Sequence, residues 1–144
     1  MSLSQKQRHD IIEEARTWLG TPWHHAARIK GVGVDCVNFI VGVYSACGLM
    51  PAITLDYYPR DWNLHRDEPR FIRGLKEYAD EIDSPLKGDI VMFNFGRHAA
   101  HGAIFIEDGL IIHSYLKDGR VTISETNGNS LGGRLAGYYR LRGE

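Results

Sequence analysis

The sequence predicts an α+β domain in which helices come first and a meandering antiparallel sheet follows. Three observations predict it. Apolar residues recur at helical spacing through the first half, and from Lys87 onward the period becomes that of strands. Asp108-Gly109 and Asp118-Gly119 then punctuate the second half as tight turns. The 144 residues show no internal repeat, low-complexity tract or linker, so residues 1–144 read as one domain.

The first helix is expected from about Gln5 to Leu19. Ser4 and Gln7 fit a capping box, Ile11, Ile12, Ala15, Trp18 and Leu19 form one apolar face, and Gly20 suits the C-terminal stop. Thr21-Pro22 turns the chain into a loop that ends at Gly31-Val32-Gly33-Val34. Asp35 is a good N-cap for a second helix from Cys36 to about Cys47, closed by Gly48 and followed by Pro51. Val37 to Val43 is apolar on nearly every side, with only Asn38 polar, so this helix should be buried at the centre. Residues 52–66 look irregular. A third helix is expected at about Glu68 to Ala79, with Phe71, Ile72, Leu75 and Tyr78 on one face. About five strands follow: Asp89–Phe93, Gly102–Ile106, Leu110–Tyr115, Val121–Ser124 and Ala136–Leu141.

Composition excludes several functions. A formal charge of -1, with Lys and Arg scattered among acids, argues against a nucleic-acid partner. No apolar run approaches the roughly 18 residues of a membrane span. Met1 to Asp10 is polar and lacks the apolar stretch of a signal peptide, so the expectation is a protein made in the cytoplasm.

Cys36 and Cys47 stand eleven residues apart in one helix. That spacing puts them about 16 Å apart, beyond the reach of a disulfide. A thiol attacks as thiolate, and the first turn of a helix favours that charge. Cys36 occupies this position and Cys47 the unfavourable opposite end. Cys36 is therefore the candidate nucleophile, with a buried small hydrophobe as the alternative; Asp35 is a cap rather than an acid catalyst.

A cysteine nucleophile needs a histidine base and a group to hold its ring. His9 and His65 read as surface residues, and His24 and His25 as members of a polar loop. His101 opens one apolar strand and His113 lies inside the next. If Asp108-Gly109 is a two-residue turn, Ile104 faces His113 and the two rings point to opposite sides of the sheet. If Glu107-Asp108-Gly109 is a three-residue loop with Gly109 in a bulge, Ala103 faces His113 and the rings share a side. The catalytic reading requires the second arrangement. His98 is the rival base, in a loop from Asn94 to Ala100. No C-x-x-C, H-x-x-x-H or H-E-x-x-H spacing suggests zinc.

Five segments together resemble the NlpC/P60 cell-wall peptidases: Gly20-Thr21-Pro22-Trp23, Asp35-Cys36-Val37-Asn38, Gly88-Asp89-Ile90-Val91-Met92-Phe93, His101-Gly102-Ala103-Ile104-Phe105-Ile106, and Ile112-His113. Order and spacing match over roughly residues 8–141. The resemblance implies a reduced papain-like fold, with the cysteine helix packed on an antiparallel sheet. It implies Cys36 as nucleophile, His101 as base and His113 as the third polar member. The implied substrates are murein peptides, often cut between γ-linked D-glutamate and a diamino acid. Gly31-Val32-Gly33-Val34-Asp35-Cys36 looks like the branch carried by phages, prophages and gene-transfer agents, whose partners are tail proteins. Two departures stand out. Val37-Asn38 replaces Ser-Gly after the nucleophile, and Trp23 replaces a tyrosine that helps hold the oxyanion. Trp23, His24, Asp35 and Asn38 are thus the further candidates for substrate or oxyanion binding, beside the Cys36 backbone N–H.

The expected reaction is acyl transfer to water, requiring no metal or cofactor. Two rivals stand beside it. One is a catalytically inactive module that docks a tail or the wall; the other is an amidase or acyltransferase of the same superfamily.

Overall fold

A computed structural model describes residues 3–52, 74–95, 98–128 and 130–142, without the side chains of residues 98–100. Helix α1 spans Gln5–Arg16. The capping box forms as expected: Ser4 Oγ accepts from the Gln7 N–H at 3.0 Å, and Gln7 Oε1 accepts from the Ser4 N–H at 2.8 Å. The helix ends earlier than Leu19. The N–H groups of Thr17, Trp18 and Leu19 each bond the carbonyl three residues back, and this tighter winding leads to Gly20 at φ +87°. Trp18 stays buried, whereas Leu19 is exposed.

Two short strands, β1 (Arg28–Ile29) and β2 (Gly33–Val34), pair in the loop before the second helix. Helix α2 spans Cys36–Ala46 and buries every residue from Asn38 to Tyr44. At Gly42 it meets the turn that follows α1, where an added Cβ would stand 2.9 Å from the Trp18 ring. A side chain there would force helix and turn apart.

The sheet has six antiparallel strands: β3 (Ala79–Ile82), β4 (Ile90–Phe95), β5 (His98–Glu107), β6 (Leu110–Tyr115), β7 (Arg120–Glu125) and β8 (Leu135–Leu141). Their spatial order is β3-β8-β4-β5-β6-β7. The α+β class is as expected, with one strand more than about five. Much of the helix expected over 68–79 lies outside the described residues, as does His65. Leu75 is helical, but Ala79 opens edge strand β3 instead of ending a helix. Asp80 and Glu81 are exposed on this edge, which hides the apolar alternation of a half-buried strand.

Both faces of the sheet are covered. Ile90, Met92, Ile104 and Ile112 pack with α1 and α2, while Val91, Phe93, Ala103, Ile111, Tyr115 and Leu131 form a smaller core on the far side. This explains the unbroken apolar run of β4, all four of whose first residues are buried.

Asp89, at the start of β4, is fully buried and ties the layers together. Its carboxylate accepts from Arg8 of α1 at 3.0 Å, from Arg140 of β8 through three contacts of 2.8–3.1 Å, and from the Leu86 N–H at 2.8 Å. Beside it, Tyr44 of α2 donates its hydroxyl to the Gly88 carbonyl at 2.6 Å. Asp89→Asn keeps the volume but leaves two guanidinium groups facing a neutral amide. It is expected to destabilise the fold by about 3–5 kcal/mol in urea unfolding, the usual result of removing one partner from a buried ion pair.

Candidate functional site

The geometry of the site begins at the β5–β6 hairpin. Glu107 pairs with Leu110 across a two-residue turn, Asp108 at φ +51° and Gly109 at φ +77°, the left-handed pair of a type I′ turn. Left alone, that turn would place Ile104 opposite His113. The register shifts by one between Phe105 and Glu107, however, so that Ile104 faces Ile112 and Ala103 falls opposite His113. Of the two hairpins weighed from the sequence, the two-residue turn forms, and an extra residue at Ile106 takes the place of the three-residue loop that the catalytic reading required. The consequence for side-chain direction is the same: His101 and His113 project to one side.

There they meet. His101 Nε2 and His113 Nδ1 lie 2.7 Å apart, and His113 Nε2 lies 2.9 Å from Ser124 Oγ on β7. Tyr115 stacks on His113 at 4.8 Å and 20° and tilts against His101 at 5.2 Å. Phe93 and Phe95 flank the His101 ring at 6.0 and 5.7 Å. Both histidines are buried. Burial, and then the neighbouring His113, push the His101 ring well below its ordinary pKa, while burial pushes His113 down to about 4. Both imidazoles are therefore neutral at neutral pH.

Cys36 opens α2 and is partly buried. The backbone groups of Gly102, Val37 and Cys36 itself act on its sulfur in favour of the thiolate. Gly102 follows His101 directly, so the helix start meets the sheet one residue from the histidine pair. The expectation of a lowered thiol pKa is corrected. Burial first, and then the Asp35 carboxylate, push Cys36 up to about 12, overriding the N–H groups that pull it down. Cys47 is also raised, to about 11, by burial and by Glu14 and Asp10.

Asp35 is the cap expected of it and does more. Its Oδ1 accepts from the Asn38 N–H at 2.9 Å and from Asn38 Nδ2 at 3.1 Å, and its Oδ2 from the Ala26 N–H at 2.7 Å. One carboxylate thus joins the helix start to the preceding loop, where Ala26 holds a left-handed φ of +61°. Asn38 is buried, with its amide turned to Asp35. Trp23 is half-buried, with its backbone N–H bonded to the Gly119 carbonyl at 2.8 Å and its ring stacked at 6.5 Å on His25. His24 is exposed, as is His9. The side chain of His98 lies outside the described residues. Among the described residues, no three His, Cys, Asp or Glu side chains group as metal ligands would.

Sequence reasoning missed Tyr115 and Ser124. Tyr115 was legible in principle, being two residues beyond His113 on the same strand face. Ser124 requires the β6–β7 register, in which His113 faces Thr122 and Ser124 is the diagonal neighbour.

The chain is 28% identical over 131 residues to a probable endopeptidase p60 of Listeria grayi, an alignment covering 91% of this chain and 22% of that relative. The chain thus spans about a fifth of that relative's length. In fold it resembles a Staphylococcus aureus protein described as similar to lipoprotein, of the NLP/P60 family. There the TM-score is 0.69 and the identity 20%, over 98% of this chain and 43% of that one. It also resembles RipD of Mycobacterium tuberculosis, described as a non-catalytic NlpC/p60 domain protein adapted to peptidoglycan binding. That match has a TM-score of 0.62 and 15% identity, over 96% of this chain and 99% of that one. The family model described as NlpC/P60 matches residues 20–140, and the chain belongs to the NlpC/P60 family.

Proposed function

We propose that this protein is a cysteine peptidase that hydrolyses an amide bond in murein stem peptides, with Cys36 as nucleophile, His101 as base and His113 holding the His101 ring. The observation that carries the reading is the 2.7 Å contact between two buried imidazoles, one of them directly before Gly102, whose backbone acts on the Cys36 sulfur. Nε2 of His101 is engaged by His113, which leaves Nδ1 for the thiol. With the thiol held protonated and the imidazole neutral, no ion pair waits in the resting site. The proton passes to His101 as sulfur attacks the carbonyl carbon. The oxyanion is held by backbone N–H groups at the start of α2. His101 then protonates the departing amine, and water cleaves the thioester to release the acid and regenerate the thiol. We assign the bond between γ-linked D-glutamate and the diamino acid as the target, and a phage-like tail as the assembly that delivers the domain.

A wall-binding module without turnover is the second reading. It is favoured by the raised thiol pKa, by Val37-Asn38 beyond the nucleophile, and by the non-catalytic relative of the same fold. Digestion of purified murein followed by mass spectrometry of the released peptides separates the two. The peptidase releases peptides, and Cys36→Ala removes that release. A binding module releases none, and its wild type and Cys36→Ala form bind murein alike. His101→Gln is expected to lower the cleavage rate by roughly 10²–10⁴-fold, the range for loss of a general base.

The histidines also govern acid stability. Since the folded pKa of His113 is depressed from 6.5 to about 4, its contribution is fully present above 6.5 and is lost as pH falls through about 4. Between pH 7 and pH 4 the wild type should lose about 3 kcal/mol more than His113→Gln, read from urea midpoints at each pH.

A further inference from the structure

A neutral imidazole carries one N–H and one bare nitrogen, so the chain His101–His113–Ser124 has two proton arrangements. In the first, His101 Nε2–H donates to His113 Nδ1, and His113 Nε2–H donates to Ser124 Oγ. In the second, every bond is reversed: Ser124 donates to His113 Nε2, and His113 Nδ1–H donates to His101 Nε2. The difference lands on the far nitrogen of His101. Nδ1 is bare in the first arrangement and already protonated in the second, where it cannot take a proton from a thiol.

We propose that Ser124 is a positioning residue: its Oγ accepts the Nε2–H of His113, which fixes both rings as Nε2–H tautomers and leaves Nδ1 of His101 bare. The geometry suits this role. His113 is fully buried, so its Nε2–H needs a protein acceptor, and Ser124 Oγ stands at 2.9 Å. Ser124 itself is only partly buried, so its own O–H can turn to solvent while its oxygen accepts. Tyr115, stacked on His113 and donating its hydroxyl to Ser130 Oγ at 2.8 Å, restrains the ring from flipping. The same arrangement serves the protonated state, because a His101 imidazolium still donates from Nε2 to His113. Its chemical purpose rests on the peptidase reading above; the tautomer is readable without turnover.

Long-range ¹H–¹⁵N NMR of histidine-labelled protein at neutral pH, assigned with His101→Gln and His113→Gln, reads the four ring nitrogens. Protonated Nε2 and bare Nδ1 are expected on both rings. Ser124→Ala should give His113 a mixture of tautomers and lower kcat on murein peptides roughly 10–100-fold with KM little changed, as is usual for a partner that orients a functional histidine. Ser124→Thr should restore both. A wild-type His113 protonated on Nδ1, or tautomers and kcat unchanged in Ser124→Ala, would overturn the proposal. If Ser124→Ala fails to fold, the wild-type tautomer and Ser124→Thr decide. If the wild type shows these tautomers yet cleaves no murein, the peptidase reading fails and the placement of Ser124 stands.

Discussion

Between Phe105 and Glu107 the β5–β6 register skips Ile106, and the arrangement of the site depends on that extra residue. Side chains alternate across a strand, so inserting a single residue moves everything beyond it to the other face. Without the bulge, the Asp108-Gly109 turn would put Ile104 beside His113 and send the His101 ring to the opposite side of the sheet. With it, His101 shares a side with His113 and Tyr115. The bulge leaves Ile106 itself in the helix-side core, which anchors the register by burial.

Two carboxylates then hold the layers at the distances this pairing needs. Asp89 joins α1, the start of β4 and β8 through Arg8 and Arg140, and so sets the helices on the sheet. Asp35 joins the start of α2 to the loop at Ala26. Ser114, on the helix side of β6, donates to the Val34 carbonyl at 2.6 Å and fixes the same loop from below. Cys36 inherits its position at Gly102 from these contacts, with no freedom to wander along the sheet.

Much of this was legible in the sequence, and the reasons differ by element. The α1 capping box and the Asp35 cap are local hydrogen-bond patterns, and local patterns survive folding unchanged. The burial of α2 followed from its apolar circumference. Edge strand β3 was not legible, because a strand with Asp80 and Glu81 facing solvent gains its identity from pairing with β8. The histidine pair was legible only as a condition on the hairpin. The condition was met by a different device, since a type I′ turn and a bulge five residues after His101 leave the same register as a longer loop. The role of Asp89 was hidden for the same reason: Arg8 and Arg140 lie 81 and 51 residues away.

The thiol is where local reasoning and the folded environment part most clearly. A helix start stabilises a thiolate through a few N–H groups, and those groups do act on Cys36. Yet the same cap that starts the helix is an anion beside the sulfur, and the packing that fixes the helix strips water from it. Asp35 and burial together exceed the N–H groups. On the proposed mechanism this makes the histidine pair the decisive element, since a protonated thiol gains nucleophilicity only when a base receives its proton in the same event. The low basicity of two buried rings keeps that base unprotonated, and a weak base beside a reluctant acid holds the site neutral until a carbonyl is present to be attacked.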